Sequence, residues 1–181
     1  MAELISQTYA RALFDLGIEN GTEETYGLEL SALNGIFREN PDLMRILKSP
    51  ISSKEEKKNL LSSIFGGKIS LYVMNFLKIL VDKERIGYFE AIEKTYRELL
   101  NERKNIEEVT AVTAVAMTQE MKQALSEKLK MQTGKNIVLR NVVDEKVLGG
   151  VLLKIKNEQM DATVRTRLES LRAKLSSIIA G

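Results

Sequence analysis

The side chains of this sequence that could do chemistry are carboxylates, lysines and the backbone of glycine turns. The chain has 181 residues, with 27 Lys plus Arg, 25 Asp plus Glu, and no His, Cys or Trp. Without His or Cys there is no zinc set of the usual ligands, no Ser-His-Asp triad, no Cys nucleophile, no disulfide framework and no His-ligated haem. Gly134-Lys135 is the nearest approach to a phosphate loop, but no Gly stands five residues earlier and no Ser or Thr follows. A Walker A loop needs both glycines so that its N–H groups can face phosphate. Gly66-Gly67-Lys68 and Gly149-Gly150 do not form a dinucleotide fingerprint either. Glu23-Glu24, Glu55-Glu56 and Glu107-Glu108 are adjacent pairs. On a helix, neighbours point roughly 100° apart, so the pairs read as solvated or helix-start charge. A paired-carboxylate glycosidase would need apolar pocket walls and more chain. The inventory predicts no enzyme, no cofactor and no metal.

The elements that would position these residues are helices over the first hundred positions. Ile5, Tyr9, Ala12, Leu13 and Leu16 share one side of a helix from Leu4 to Ile18, and Leu4, Phe14 and Ile18 form a thinner stripe opposite. Asn20-Gly21-Thr22 stops it and caps a second helix through Tyr26, Leu30, Leu33 and Phe37. Asn40-Pro41 opens a short third helix with Leu43, Ile46 and Leu47, ended by Ser49-Pro50. Ser52 or Ser53 caps a fourth, with Leu60, Leu61, Ile64 and Phe65, closed at Gly66-Gly67. From Ile69 to Val81, ten of thirteen residues are apolar. Such a helix is either central to the bundle or covered by a partner. A sixth helix, Tyr88 to about Lys104, carries Phe89, Ile92, Tyr96, Leu99 and Leu100. A six-helix bundle over residues 1–105 follows.

The period changes near Asn105. Val109 to Val115 is rich in β-branched residues and reads as a strand. Thr118 caps a helix with Met121, Leu125 and Leu129, ended at Gly134. Strands are expected at Asn136–Val143 and Val151–Ile155, then a tight turn at Asn157-Glu158. A last helix would run from about Thr163 to Ala180, capped by Asp161 or Thr163, with Val164, Leu168, Leu171, Leu175 and Ile178 spaced 4, 3, 4, 3. The chain is thus mainly α: the bundle, then a small α+β domain over 106–181, joined through NERKNIEE at 101–108.

Charge is mildly uneven: residues 1–105 carry 15 basic and 16 acidic side chains, residues 106–181 carry 12 and 9. That is far from the concentrated patch of a nucleic-acid binder, and base-stacking aromatics are scarce. Arg165, Arg167, Arg172 and Lys174 on the last helix form a solvated face or a docking face, protein being the preferred partner. No apolar run approaches a membrane span and no signal or transit segment is evident, so a cytoplasmic protein without direct membrane insertion is expected.

Several motifs in order carry a resemblance. Tyr9-Ala10-Arg11-Ala12-Leu13-Phe14, Asn40-Pro41-Asp42-Leu43 with Leu47 and Pro50, and Asn75-Phe76-Leu77 through Arg85-Ile86 are three. The C-terminal block adds Val143-Asp144, Gly149-Gly150-Val151, Asp161, Val164-Arg165, Leu168 and Leu171. Together they resemble, nearly end to end, the delta subunit family of bacterial ATP synthase, related to the mitochondrial oligomycin-sensitivity-conferring protein. Departures are small: Ala162-Thr163 where the family often has Ser second, and Ile86 where Leu is commoner.

The resemblance implies a non-catalytic stator subunit of the rotary proton-translocating synthase, joining catalytic head to peripheral stalk at the cytoplasmic face of the bacterial membrane. It implies that the bundle holds the N-terminal helix of an alpha subunit between its first and fifth helices, on Tyr9, Ala12, Leu13, Phe76, Ile79 and Leu80. It implies that the C-terminal domain binds the C-terminal ends of the b subunits, through Gly149, Gly150, Arg165, Leu168 and Arg172. No homo-oligomer is expected. The alternative is a helical RNA-binding module of the antitermination-factor type, which the near-neutral first half argues against.

Overall fold

A computed structural model of the chain describes residues 2–147, 149–155, 158–163 and 166. The element order is α1 (Ala2–Asn20), α2 (Glu23–Glu39), α3 (Pro41–Lys48), α4 (Lys54–Phe65), α5 (Leu71–Asp82), a 3₁₀ turn (Ile86–Tyr88) and α6 (Phe89–Arg103). Then come β1 (Ile106–Thr113), α7 (Gln119–Thr133), β2 (Asn136–Val143), β3 (Gly150–Ile155) and β4 (Glu158–Thr163). Helices thus dominate, with a small sheet in the C-terminal part. The chain divides into two compact units, Met1–Leu100 and Asn101–Gly181.

In the first unit, α1 buries a different line from the one its large side chains predict. Ser6, Ala10, Leu13, Phe14 and Gly17 are buried. Ile5, Tyr9 and Leu16 are half-buried, and Ala12 is exposed. The buried arc lies between the two apolar stripes because small residues let neighbouring helices approach. A Cβ on Gly17 would stand 2.9 Å from Glu23 Cα and 3.1 Å from the Tyr96 hydroxyl. That hydroxyl donates to the Glu23 carbonyl at 2.9 Å, and burial pushes the phenol above its ordinary pKa.

The stripe of α2 is buried as its period predicts, at Tyr26, Leu30, Leu33 and Phe37. Asn34 joins it by donating to the buried Glu93 carboxylate at 3.2 Å, and Arg97 pairs with the other oxygen at 3.3 Å. Caps differ in detail from expectation. Thr22 precedes α2, but its hydroxyl makes no capping bond and is buried without a partner among the described residues. Asn40 closes α2 instead, its side chain donating to the Ile36 carbonyl at 2.9 Å. Ser53 caps α4 in a reciprocal box. Its hydroxyl accepts from the Glu56 N–H at 3.2 Å while its own N–H donates to the Glu56 carboxylate at 2.8 Å.

One continuous core closes the unit, with T-shaped ring pairs Phe37–Phe89 at 5.0 Å, Phe37–Phe65 at 6.0 Å and Phe14–Tyr96 at 5.5 Å.

The second unit is a four-stranded sheet of order β2-β1-β3-β4. β1 and β2 run parallel, which requires a crossover, and α7 supplies it. β1–β3 and β3–β4 are antiparallel. The small core is Val109, Ala111, Leu129 and Leu153, with Leu125 and Ile137 packed against it. α7 is capped by the Thr118 hydroxyl, which accepts from the Met121 N–H at 3.2 Å, and ends at Gly134 with φ +70°.

Three expectations need correction. β1 begins at Ile106 rather than Val109, since its ladder with β2 starts at Ile106 opposite Asn136, and it leaves Val115 outside. Glu107 and Glu108 therefore lie on a strand, and buried Glu107 pairs with Lys135. β4 was not predicted: Glu-Gln-Met-Asp-Ala-Thr has no strand period, and backbone pairing with β3 holds it. Asp161 and Thr163, the expected caps, both lie in β4, where Asp161 accepts from the Thr166 hydroxyl at 2.8 Å. Apart from Thr166, the rest of the expected last helix lies outside the described residues.

Candidate partner-binding surfaces

The α1–α5 face is built from two helix lines. α5 starts where Ser70 caps it, the hydroxyl accepting from the Val73 N–H at 3.3 Å. Ser70 also donates its N–H and its hydroxyl to the Glu29 carboxylate, at 2.9 and 2.7 Å. This clamp ties the first turn of α5 to α2. With α5 held there, Val73, Met74, Phe76, Leu77, Leu80 and Val81 are buried in the core. Tyr72 and Ile79 lie exposed one turn to either side of Phe76, at spacings of 4 and 3.

Tyr9 of α1 meets Phe76 of α5 edge to face, ring centroids 6.4 Å apart. Phe76 is buried, whereas Ile79 is 48% exposed. Ala12 is exposed one turn along α1 from Tyr9. Leu13 and Leu80 are buried in the core, so they support this face from behind. Sequence reasoning missed Tyr72, which is 47% exposed and stands one turn before Phe76, its ring 6.1 Å from that of Tyr26. Its spacing from Phe76 was the available signal. The result is an apolar face with an aromatic floor, of a kind that can take the apolar side of a helix.

In the second unit, Gly149 and Gly150 have φ of 147° and 82°, values that side chains rarely adopt, and they lead into β3. The turn before them is built by Asp144, whose carboxylate accepts from the Lys146 N–H at 3.0 Å and whose carbonyl accepts from the Val147 N–H at 3.0 Å. Arg165, Leu168 and Arg172 lie outside the described residues.

Residues 5–175 match the family described as ATP synthase delta (OSCP) subunit. The chain belongs to this family. It is 43% identical over 181 residues to the ATP synthase subunit delta of Clostridioides difficile (strain 630), covering 99% of this chain and 100% of that one. It is 40% identical over 179 residues to the ATP synthase subunit delta of Alkaliphilus metalliredigens (strain QYMF), covering 99% of each. A chain of the Toxoplasma gondii mitochondrial ATP synthase hexamer shares the fold, with a TM-score of 0.74 at 18% identity over 94% of this chain and 96% of that one.

As a member of the ATP synthase delta family, the chain is a structural, non-catalytic subunit of the synthase with a stator role. The RNA-binding alternative finds no support among these relatives. No helix among the described residues is long and apolar enough to cross a membrane.

Proposed function

We propose that this delta-family subunit joins the catalytic head to the peripheral stalk, one partner to each unit. Residues 1–105 take the N-terminal helix of an alpha subunit on the α1–α5 face. Residues 106–181 take the C-terminal ends of the b subunits, through the Gly149-Gly150 turn and the last helix with Arg165, Leu168 and Arg172. The assembly sits at the cytoplasmic face of a bacterial membrane, and no second copy of the chain and no nucleic acid takes part.

The observation that carries the reading is the Tyr9–Phe76 contact flanked by exposed Ala12, Tyr72 and Ile79. A long apolar contact releases slowly, which suits a joint that resists rotor torque.

The test is calorimetric titration of the full chain with an amphipathic peptide of the alpha-subunit N-terminus. Ile79→Asp places a charge on the exposed line without opening the core, which Phe76→Asp would do. It is expected to weaken binding about tenfold or more. Met131→Asp, at an exposed position of α7, should leave binding unchanged. Equal binding by wild type, Ile79→Asp and Tyr72→Asp would remove the α1–α5 assignment.

A further inference from the structure

The charges of α1 break two local rules of helix chemistry. Its charged side chains are Glu3, Arg11, Asp15 and Glu19. Asp15 and Glu19 stand one turn apart, and like charges at that spacing destabilise a helix. Glu19 also lies in the last turn, where the helix dipole favours cations, and that turn holds no basic residue. Asp15 and Glu19 are both exposed, and among the described residues no ion pair or hydrogen bond meets either. Arg11 is one turn before Asp15 but does not pair with it. Carboxylates on other helices of the unit do have basic partners within a turn. Asp42 meets Arg45 at 3.0 Å, Glu55 meets Lys58 at 2.7 Å, and Glu98 meets Lys94 at 3.8 Å.

The acidic pair continues the α1 edge of the α1–α5 face. Ala12 and Glu19 are seven residues apart, so they share one line of the helix to within about 20°. Asp15 stands between them, three residues after Ala12 and four before Glu19. Ala12 is exposed beside the Tyr9–Phe76 floor, with Tyr72 and Ile79 exposed on α5. A helix laid on this apolar face brings the polar flank of its stripe over Asp15 and Glu19. Residues that violate local preference without a compensating contact in their own fold are expected at functional sites.

We infer that Asp15 and Glu19 select the partner of this face: an amphipathic helix carrying two Lys or Arg residues one turn apart beside its apolar stripe. The inference rests on the reading of the α1–α5 face as a helix-docking surface. Side chains at i and i+4 have Cβ atoms about 5–6 Å apart on either helix, so two acids on one match two cations on the other in a single register. Apolar contact supplies most of the affinity. The rim charges act on association rate and on choice of partner, since a helix with an acidic flank is repelled.

Two amphipathic peptides of about 20 residues test this. They share one Leu and Ile stripe and carry either Lys or Glu at two flanking positions four residues apart. Each is titrated calorimetrically into the full chain at low salt. The Lys peptide is expected to bind more tightly by about fivefold, the worth of two rim ion pairs, and salt should narrow the margin. Asp15→Asn with Glu19→Gln should lose the margin while raising the thermal midpoint, because the like-charge pair is gone. Asp15→Lys with Glu19→Lys should reverse the preference. Glu127→Gln, exposed on α7, should change nothing. Equal binding of the two peptides by wild type, or a Lys preference that survives the charge reversal, overturns this inference and leaves the docking face standing. Binding of neither peptide, or binding that Ile79→Asp does not weaken, removes the face and the inference with it.

Discussion

The two units solve the same problem with different materials. All five Tyr and all five Phe of the chain lie within its first hundred residues. There they make one core, in which Tyr26, Tyr96 and Phe89 are nearly fully enclosed and rings meet edge to face. The second unit has no aromatic residue. Among its described residues the buried apolar cluster is Val109, Ala111, Leu129 and Leu153, and backbone ladders run along β1, β3 and β4. Aromatic side chains bring large buried area, so the helices of the first unit can close on one another. The second unit depends more on sheet pairing and on a few positions where α7 meets the sheet.

The contrast is sharpest to test where the expected effect is largest. Phe89→Ala removes a ring packed on Phe37 and should cost about 3–5 kcal/mol. Urea unfolding followed by tyrosine emission reads this loss in the first unit. Leu129→Ala should move the circular dichroism transition while leaving tyrosine emission in place. If both signals shift together in both variants, the units do not unfold separately and the contrast fails.

Next is Gly17→Ala. Its new methyl group would meet backbone at Glu23, so the α1–α2 corner must open, at about 1–3 kcal/mol. An unchanged midpoint would mean that the close approach is not what holds α1. The smallest effect is Ser53→Ala, about 1 kcal/mol for a lost cap. Its pH dependence has a definite sign. Hydrogen bonds from Ser53 hold the Glu56 carboxyl below its ordinary value of 4.5. A carboxyl with a lowered folded-state pKa stabilises the fold above the unfolded value and loses that contribution as pH falls through the folded one. The difference between wild type and Ser53→Ala should therefore shrink on acidification below about 4.5. A pH-independent difference would show that the Ser53 hydroxyl has no part in holding the Glu56 carboxyl down, since Ala keeps the backbone N–H that also bonds it.

Much of this was legible in the sequence because the signals were local. Ser53-x-x-Glu56 before an apolar run reads as a cap, and the α2 stripe has one period and one buried face. The α1 core line was not legible. A wheel weights Ile5, Tyr9 and Leu16 by size, whereas the packing weights Ser6, Ala10 and Gly17 by how closely neighbours can come. For the candidate site, the Tyr9–Phe76 pairing followed from motifs carrying the family resemblance. Which side of α5 is buried depends on contacts between distant residues, such as the Glu29–Ser70 clamp formed across 41 residues. Lys57 illustrates the same limit: in sequence it belongs to a solvated charge run, and only packing buries it.

By itself, the sequence determined the element types, the switch from a helical half to an α+β half, the absence of His and Cys chemistry, and membership of the delta family. These depend on propensity, capping and motif order, which act over a few residues. The tertiary structure decided which face of each helix is core. It placed β4 against β3 despite a polar sequence, set Tyr9 against Phe76, and buried most of Lys57. Those outcomes depend on contacts between residues distant in the chain, whose energies exceed local preference only once the whole unit has closed.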